Sequence, residues 1–163
     1  MNLTERGPYP PPGLDRWRVA GTNAMNHALS LATGHFVTHL DDDDAMVPHR
    51  IETLVAAARR ERADVVWHAF LAELPDGTWA RRGSPELQLR QVTTGSVLYH
   101  RYFARIPWDV GAYLLGEPGD WNRLRKLKLL RPRAYYVDEP LLYHHAERSQ
   151  SPFVVREGER FLE

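Results

Sequence analysis

The stretch His35 to Leu54, HFVTHLDDDDAMVPHRIETL, sets four consecutive aspartates directly after a short apolar run. Carboxylates this close repel one another, and taking them out of water is costly unless a cation lies between them. Asp41 to Asp44 therefore stand either in solvent or around a positive ion. Phe36, Thr38 and Leu40 alternate with Val37 and His39, which predicts a strand with the aspartates at its end.

The flanking segments predict helices. Met25, Ala28, Leu29 and Ala32 recur at helical spacing from Thr22, with Thr22 or Asn23 as the cap and Gly34 as the stop. After the aspartates, Pro48 suits a first turn, Ile51, Leu54, Val55 and Ala58 form an apolar stripe, and Arg59, Arg60 and Arg62 favour the C-terminal end. ADVVWHAFLAEL then reads as a strand, and Pro75 to Gly77 as the turn of a hairpin reaching Trp79. Farther on, Trp121, Leu124 and Leu127 mark a helix that Asp120 can cap and Pro132 closes, followed by a strand in AYYVDEPLLYHH. Helices alternating with strands imply an α/β layer, and in open α/β sheets ligands bind beyond the carboxyl ends of the strands. The aspartates occupy such an end.

Composition bounds the function. With 163 residues, 43% hydrophobic and 26% charged, the chain suits one globular domain. Its formal net charge of +0 supplies no global field for nucleic acid or anionic membranes, and no nucleic-acid partner is expected. The absence of cysteine removes disulfides and thiolate chemistry and is compatible with a cytoplasmic setting, the location expected here. The N-terminus has no signal-like apolar run, and no transmembrane segment is expected. Residues 1–15, rich in proline, are expected to be an extended or disordered lead-in, and 147–163 a polar tail.

Two or more oxygens of the aspartate run could hold Mg²⁺ or Mn²⁺ and leave positions for substrate phosphates and water. The competing reading is a solvated acidic loop that caps the next helix. Asp120 likewise reads either as a helix cap or as a general base, Trp121 as core, and RLRKLKLLRPR from Arg123 as the wet face of an amphipathic helix. No P-loop, nucleophile elbow or HExxH pair is present.

The segment NHALSLATGHFVTHLDDDDAMVPHRIETL resembles inverting family 2 glycosyltransferases of the GT-A fold, in which a helix runs through a glycine into a strand and an Asp-x-Asp motif. TTGSVLYHR is similar to that family's glycine-containing acceptor loop, and GEPGDWNRLRKLKLLRPRAYYVDEPLLYHH to its acidic base motif, helix and closing strand. The likeness spans roughly residues 17–145. It implies a three-layer α/β sandwich, a partial GT-A domain over 16–146, with a mixed sheet flanked by helices. It also implies inverting transfer of a sugar from a nucleotide-diphosphate sugar to an acceptor hydroxyl.

Under that resemblance Asp43 and Asp41 ligate Mn²⁺ or Mg²⁺, with Asp41, Asp42, Asn26 and Gly95 against the donor. The tetrad also permits a shift of the motif by one residue, and Asp44 alternatively caps a helix. Asp120 is the implied base and Glu117 the fallback, because Gly119 stands where the family usually has a second acid. His144 and His145 are implied metal or diphosphate ligands, or else surface residues. Family members usually begin with strands that hold the nucleoside base, so the expectation is a chain lacking that portion, weak in donor binding, and self-associating over an exposed sheet edge. The alternative is a non-catalytic remnant used for binding or assembly.

Overall fold

The computed structural model describes residues 7–145, so the polar tail expected over 147–163 lies outside the described residues. Four helices, α1 (Leu14–Val19), α2 (Thr22–Leu31), α3 (Arg50–Arg60) and α4 (Gly119–Leu129), surround six strands. These are β1 (Phe36–Thr38), β2 (Ala45–Met46), β3 (Val65–Glu73), β4 (Trp79–Arg82), β5 (Val97–His100) and β6 (Ala134–His144). The sheet order is β1-β5-β3-β6-β2, with β4 hairpinned onto the far half of β3. β3 pairs antiparallel with β5 and parallel with β6, and β5 pairs antiparallel with β1. β1, β3 and β6 therefore run the same way, and the mixed α/β sandwich is present as expected.

Successive side chains of a strand point to opposite faces, and both faces of this sheet are covered. Val65, Trp67, Val97 and Tyr99 pack with Leu29, Leu124 and Leu127 on one side. Val66 and Leu98 pack with Leu54, Ala57 and Ala58 of α3 on the other. That double burial explains why β3 is apolar almost without alternation. Trp121 packs against the first cluster.

Several local expectations change. Helix begins at Leu14, and Gly21, in the left-handed region, precedes α2, while the Thr22 hydroxyl donates back to the Val19 carbonyl and caps nothing. The lead-in is tied down where it is described: Asn23 Nδ2 donates to the Gly7 carbonyl at 2.6 Å. Ile51 faces outward, and the inward position on that stripe belongs to Arg50. VLYH within the expected loop is β5, and the residues after the aspartates form β2. In the basic run Arg123 turns inward and is buried, so the wet-face reading does not hold for it.

The pairing of β6 irregularly skips where Pro140 lies opposite Ala69. Proline has no ladder donor, and such a bulge bends its strand. Beyond it Leu142 and Tyr143 reach β2, pairing with Met46 and Ala45.

Candidate active site

The register of β2 with β6 brings the aspartates to the end of β6. Because Ala45 lies opposite Tyr143, the preceding residue, Asp44, meets His144. His144 Nδ1 stands 3.0 and 3.1 Å from the two Asp44 carboxylate oxygens, and the His145 backbone N–H donates to Asp44 at 3.2 Å. The Asp44 side chain is fully buried there. The contact raises the His144 pKa, through the hydrogen bond to Asp44 and the nearby charges of Asp44, Asp41 and Asp43, against a smaller opposing effect of burial.

Gly95, in a single turn of tight helix over Thr94–Ser96, completes this wall. A Cβ at Gly95 would stand 2.9 Å from Leu142 Cδ2 and 3.6 Å from an Asp44 oxygen. Glycine is thus what lets the turn pack on Leu142, with Asp44 alongside. The Gly95 carbonyl accepts from Arg50 Nη2, which also donates to Thr38 Oγ1 at 2.7 Å, while Arg50 Nε donates to His68 Nε2 at 3.0 Å. Burial lowers the Arg50 pKa to about 10 and that of His68 to about 4.

Asp41 is half-buried, and Asp42 and Asp43 are exposed. The Asp41 carboxyl is pushed up to about 6, first by burial and then by the charges of Asp44 and Asp43; Asp120 pushes the same way and His144 opposes them. Asp120, at the first turn of α4, is therefore within electrostatic reach of the aspartate run, and its own pKa is raised by burial against the Trp121 N–H bond and the charge of His144. The Trp121 N–H donates to Asp120 Oδ1 at 2.6 Å. Since α4 leads into β6, its N-terminus lies at the same end of the sheet as His144.

The remaining candidates point elsewhere. Glu117 is held by Arg125 Nε and Nη2 at 2.7 and 3.0 Å and by Asn122 Nδ2 at 2.7 Å. Burial raises its pKa, but the Arg125 and Asn122 hydrogen bonds outweigh burial and leave it lowered. His145 Nδ1 meets Glu73 at 3.1 Å, and its ring packs edge-on against Trp79. Asn26 binds both backbone groups of Trp108, giving Nδ2–H to the carbonyl at 3.0 Å and accepting from the N–H at 2.8 Å.

Sequence reasoning did not single out His39, Arg50, Trp108 or Arg123. His39 Nε2 lies 2.7 Å from the Tyr99 hydroxyl, and burial, with the Arg123 and Arg50 charges, lowers its pKa to about 4, leaving it neutral. The Arg123 guanidinium lies 4.4 Å from the centre of the Tyr99 ring, with Nε donating to the Ile106 carbonyl. The available signal was an arginine seated on an apolar helical stripe: Arg50 with Leu54, Arg123 with Leu127.

The mixed sheet with acidic groups gathered beyond its parallel strand ends defines a GT-A-like glycosyltransferase domain. The chain belongs to glycosyl transferase family 2, whose profile matches residues 15–130. No curated protein sequence matches the chain. Among solved structures it is similar to S. aureus TarS 1–349, with a TM-score of 0.61 and 18% identity over 78% of this chain and 41% of that one. TarS 1–349 in complex with UDP matches at TM-score 0.59 and 18% identity, over 79% and 41%. The complex with UDP-GlcNAc matches at 0.57 and 18%, over 77% and 39%. The chain thus spans about two fifths of the TarS 1–349 structures it matches. Among the described residues no helix is long and apolar enough to cross a membrane.

Proposed function

We propose that the chain transfers a sugar from a nucleotide-diphosphate sugar to an acceptor hydroxyl, with inversion and with the help of a divalent cation. The observation that carries this reading is that the fold ties Asp44 to His144, 100 positions away, at 3.0 Å, with Asp41 and Asp120 each within reach of the His144 charge at the same end of the sheet. Among the described residues no three His, Asp or Glu side chains are gathered in metal-binding geometry. A hard cation that keeps waters and substrate phosphates in its shell needs only one or two carboxylates, and the crowded oxygens of this run suit it. Asp41 and Asp43 would hold Mg²⁺ or Mn²⁺, which when bound supplies positive charge to the diphosphate. His144, fixed through Nδ1 by Asp44, is oriented as a ligand or diphosphate contact by the same carboxylate–histidine logic that tunes metal sites.

Asp120 then serves as general base. It accepts the acceptor's hydroxyl proton as that oxygen bonds to the anomeric carbon, while the bond from that carbon to the diphosphate breaks and the diphosphate leaves with the electron pair. Attack from the side opposite the leaving group inverts the centre. A carboxylate raised by burial is a stronger base than a solvated one. Glu117, doubly bound to Arg125, braces the start of α4 instead. Because related folds have been solved with UDP and UDP-GlcNAc, a uridine diphosphate donor is the first to test.

The experiment is calorimetric titration with UDP, GDP, TDP and UDP-GlcNAc, with and without Mn²⁺, on the parent chain and Asp43→Asn, followed by transfer assays on Asp120→Asn. Binding that needs Mn²⁺ and is lost in Asp43→Asn is expected. Full affinity in that variant removes Asp43 from the site, and binding with no turnover under any donor and acceptor identifies a non-catalytic module.

A further inference from the structure

Beside Asp120 lies a small pocket walled by His39, Thr94, Tyr99, Trp108, Asp120 and Arg123. Its free volume of about 10 Å³ admits one water-sized group. Trp108 is held on several sides. Asn26 fixes its backbone N–H and carbonyl, its ring meets that of His39 edge-on at 5.4 Å, and the Arg123 guanidinium lies 5.5 Å from its centre. Gly119, the neighbour of Asp120, faces the same ring, which an added Cβ would meet at 3.8 Å. Only 8% of Trp108 is exposed, yet its indole Nε1–H has no hydrogen-bond partner.

A buried donor left unpaired costs about 1–3 kcal/mol, and native structures pair such groups with protein, water or ligand. Trp67 shows the ordinary outcome, its Nε1–H donating to the Ser84 carbonyl at 2.8 Å. The Trp108 ring, fixed between His39 and Arg123, cannot swing to find a partner in the protein. The pocket that Trp108 lines is the space nearest at hand for one.

We infer that Trp108 is a specificity-determining residue for the acceptor: its indole N–H donates to a hydroxyl oxygen seated in the pocket it shares with Asp120. The inference rests on the reading of Asp120 as base. It names the acceptor's class at this point as an unsubstituted hydroxyl on a sugar or polyol. A phosphate or acetamido group exceeds the volume, and an anion would face the Asp120 carboxylate. Trp108 holds the oxygen while Asp120 takes the proton, and Asn26 acts one step back as a positioning residue for Trp108.

The test uses the full chain labelled with ¹⁵N, whose five tryptophans give separable indole N–H signals. The Trp108 signal is assigned by triple-resonance connectivity and checked with Trp108→Phe, which keeps a ring between His39 and Arg123 but removes the donor. Titration with glycerol and with methyl β-glucoside should shift the Trp108 signal saturably and leave that of Trp67 in place. Uniform drift of all five signals, or a silent Trp108, overturns the inference. In transfer assays Trp108→Phe should raise the acceptor KM roughly three- to tenfold, the worth of one neutral hydrogen bond, with UDP affinity unchanged. A change in UDP affinity alone would mark a structural role and also overturn it. Mn²⁺-dependent UDP binding with a silent Trp108 leaves the transferase reading standing and removes the pocket; a responsive Trp108 without UDP binding does the reverse.

Discussion

Replacing Arg50 by methionine removes a buried cation bonded to the carbonyl of the Gly95 turn. Arg50 is fully buried, and among the described residues no carboxylate pairs with it. Its charge is spread over hydrogen bonds to the Gly95 carbonyl, Thr38 Oγ1 and His68 Nε2. Hydrogen bonds from a charged donor are worth about 1.5–3 kcal/mol each, so losing these three costs roughly 5–9 kcal/mol gross. Removing a buried guanidinium without a counter-ion returns several kcal/mol of desolvation. The net expectation is a loss of about 2–4 kcal/mol, or roughly 5–15 °C in Tm for a chain of this length. Thermal unfolding followed by far-ultraviolet circular dichroism measures it, with Arg50→Lys expected between parent and Met variant. A Met variant that melts within a degree or two of the parent, or above it, would show that the three acceptors find other partners and that Arg50 organises nothing. The functional counterpart is a weaker metal-dependent nucleotide affinity in the Lys variant, because the turn that abuts Asp44 loses its anchor.

Gly95→Ala should destabilise by about 1–3 kcal/mol, since its Cβ would press on Leu142 within a packed core; urea titration reads this, and an unchanged midpoint would mean that Leu142 yields freely. Glu117→Gln should cost about 1–2 kcal/mol through the Arg125 contact but should not lower transfer by orders of magnitude as Asp120→Asn should; comparing kcat for the two decides which carboxylate is the base. His68 is buried neutral, so its folded pKa of about 4 lies below the unfolded value of about 6.5, and the unfolded chain binds the extra proton first. Stability from this group is full above pH ~6.5 and falls by up to roughly 3 kcal/mol on acidification toward pH ~4; His68→Gln should flatten that part of the denaturation profile, and an unaltered slope refutes the assignment.

Periodicity made most of the frame legible. α2, α3, α4, the β3–β4 hairpin and β6 each carry enough residues for a stripe or an alternation to declare itself. β5 and β2 do not. Four residues and two residues are too short for an alternation to declare itself, and they become strands because β3 and β6 offer them ladders. The inward arginines escaped for a related reason: their burial depends on acceptors such as the Gly95, Phe103 and Ile106 carbonyls, none of which is local in sequence. The acidic run, Gly95 and Asp120 were visible as types of residue, whereas their partners were not. Asn26 shows the difference, since its place before the glycine and strand suggested a donor contact and the fold instead sets it across 82 positions on the backbone of Trp108.

The four aspartates can be adjacent because the fold gives them unequal surroundings. Asp44 alone loses its water entirely, and it is compensated by His144, by the His145 N–H and by the space Gly95 leaves. It behaves as a structural carboxylate, locking the corner after β1 to the end of β6. That lock depends on register: a slip of β2 by one residue against β6 would turn Asp44 to the other face, away from His144. The Asp44 N–H closes a turn on the Asp41 carbonyl, which throws Asp42 and Asp43 outward while Asp41 stays half-buried. Repulsion within the run is therefore relieved at the Asp44 end by an imidazole and in the middle by solvent, while at the other end burial, and then the charges of Asp44 and Asp43, raise the Asp41 pKa. Under the proposed function a cation held by Asp43 and Asp41 would offset the crowding that helps raise the Asp41 pKa. Under the proposed cation role, Asp44 needs no place among the ligands: tied to His144 and the His145 N–H, it anchors the run whose other carboxylates would meet the ion.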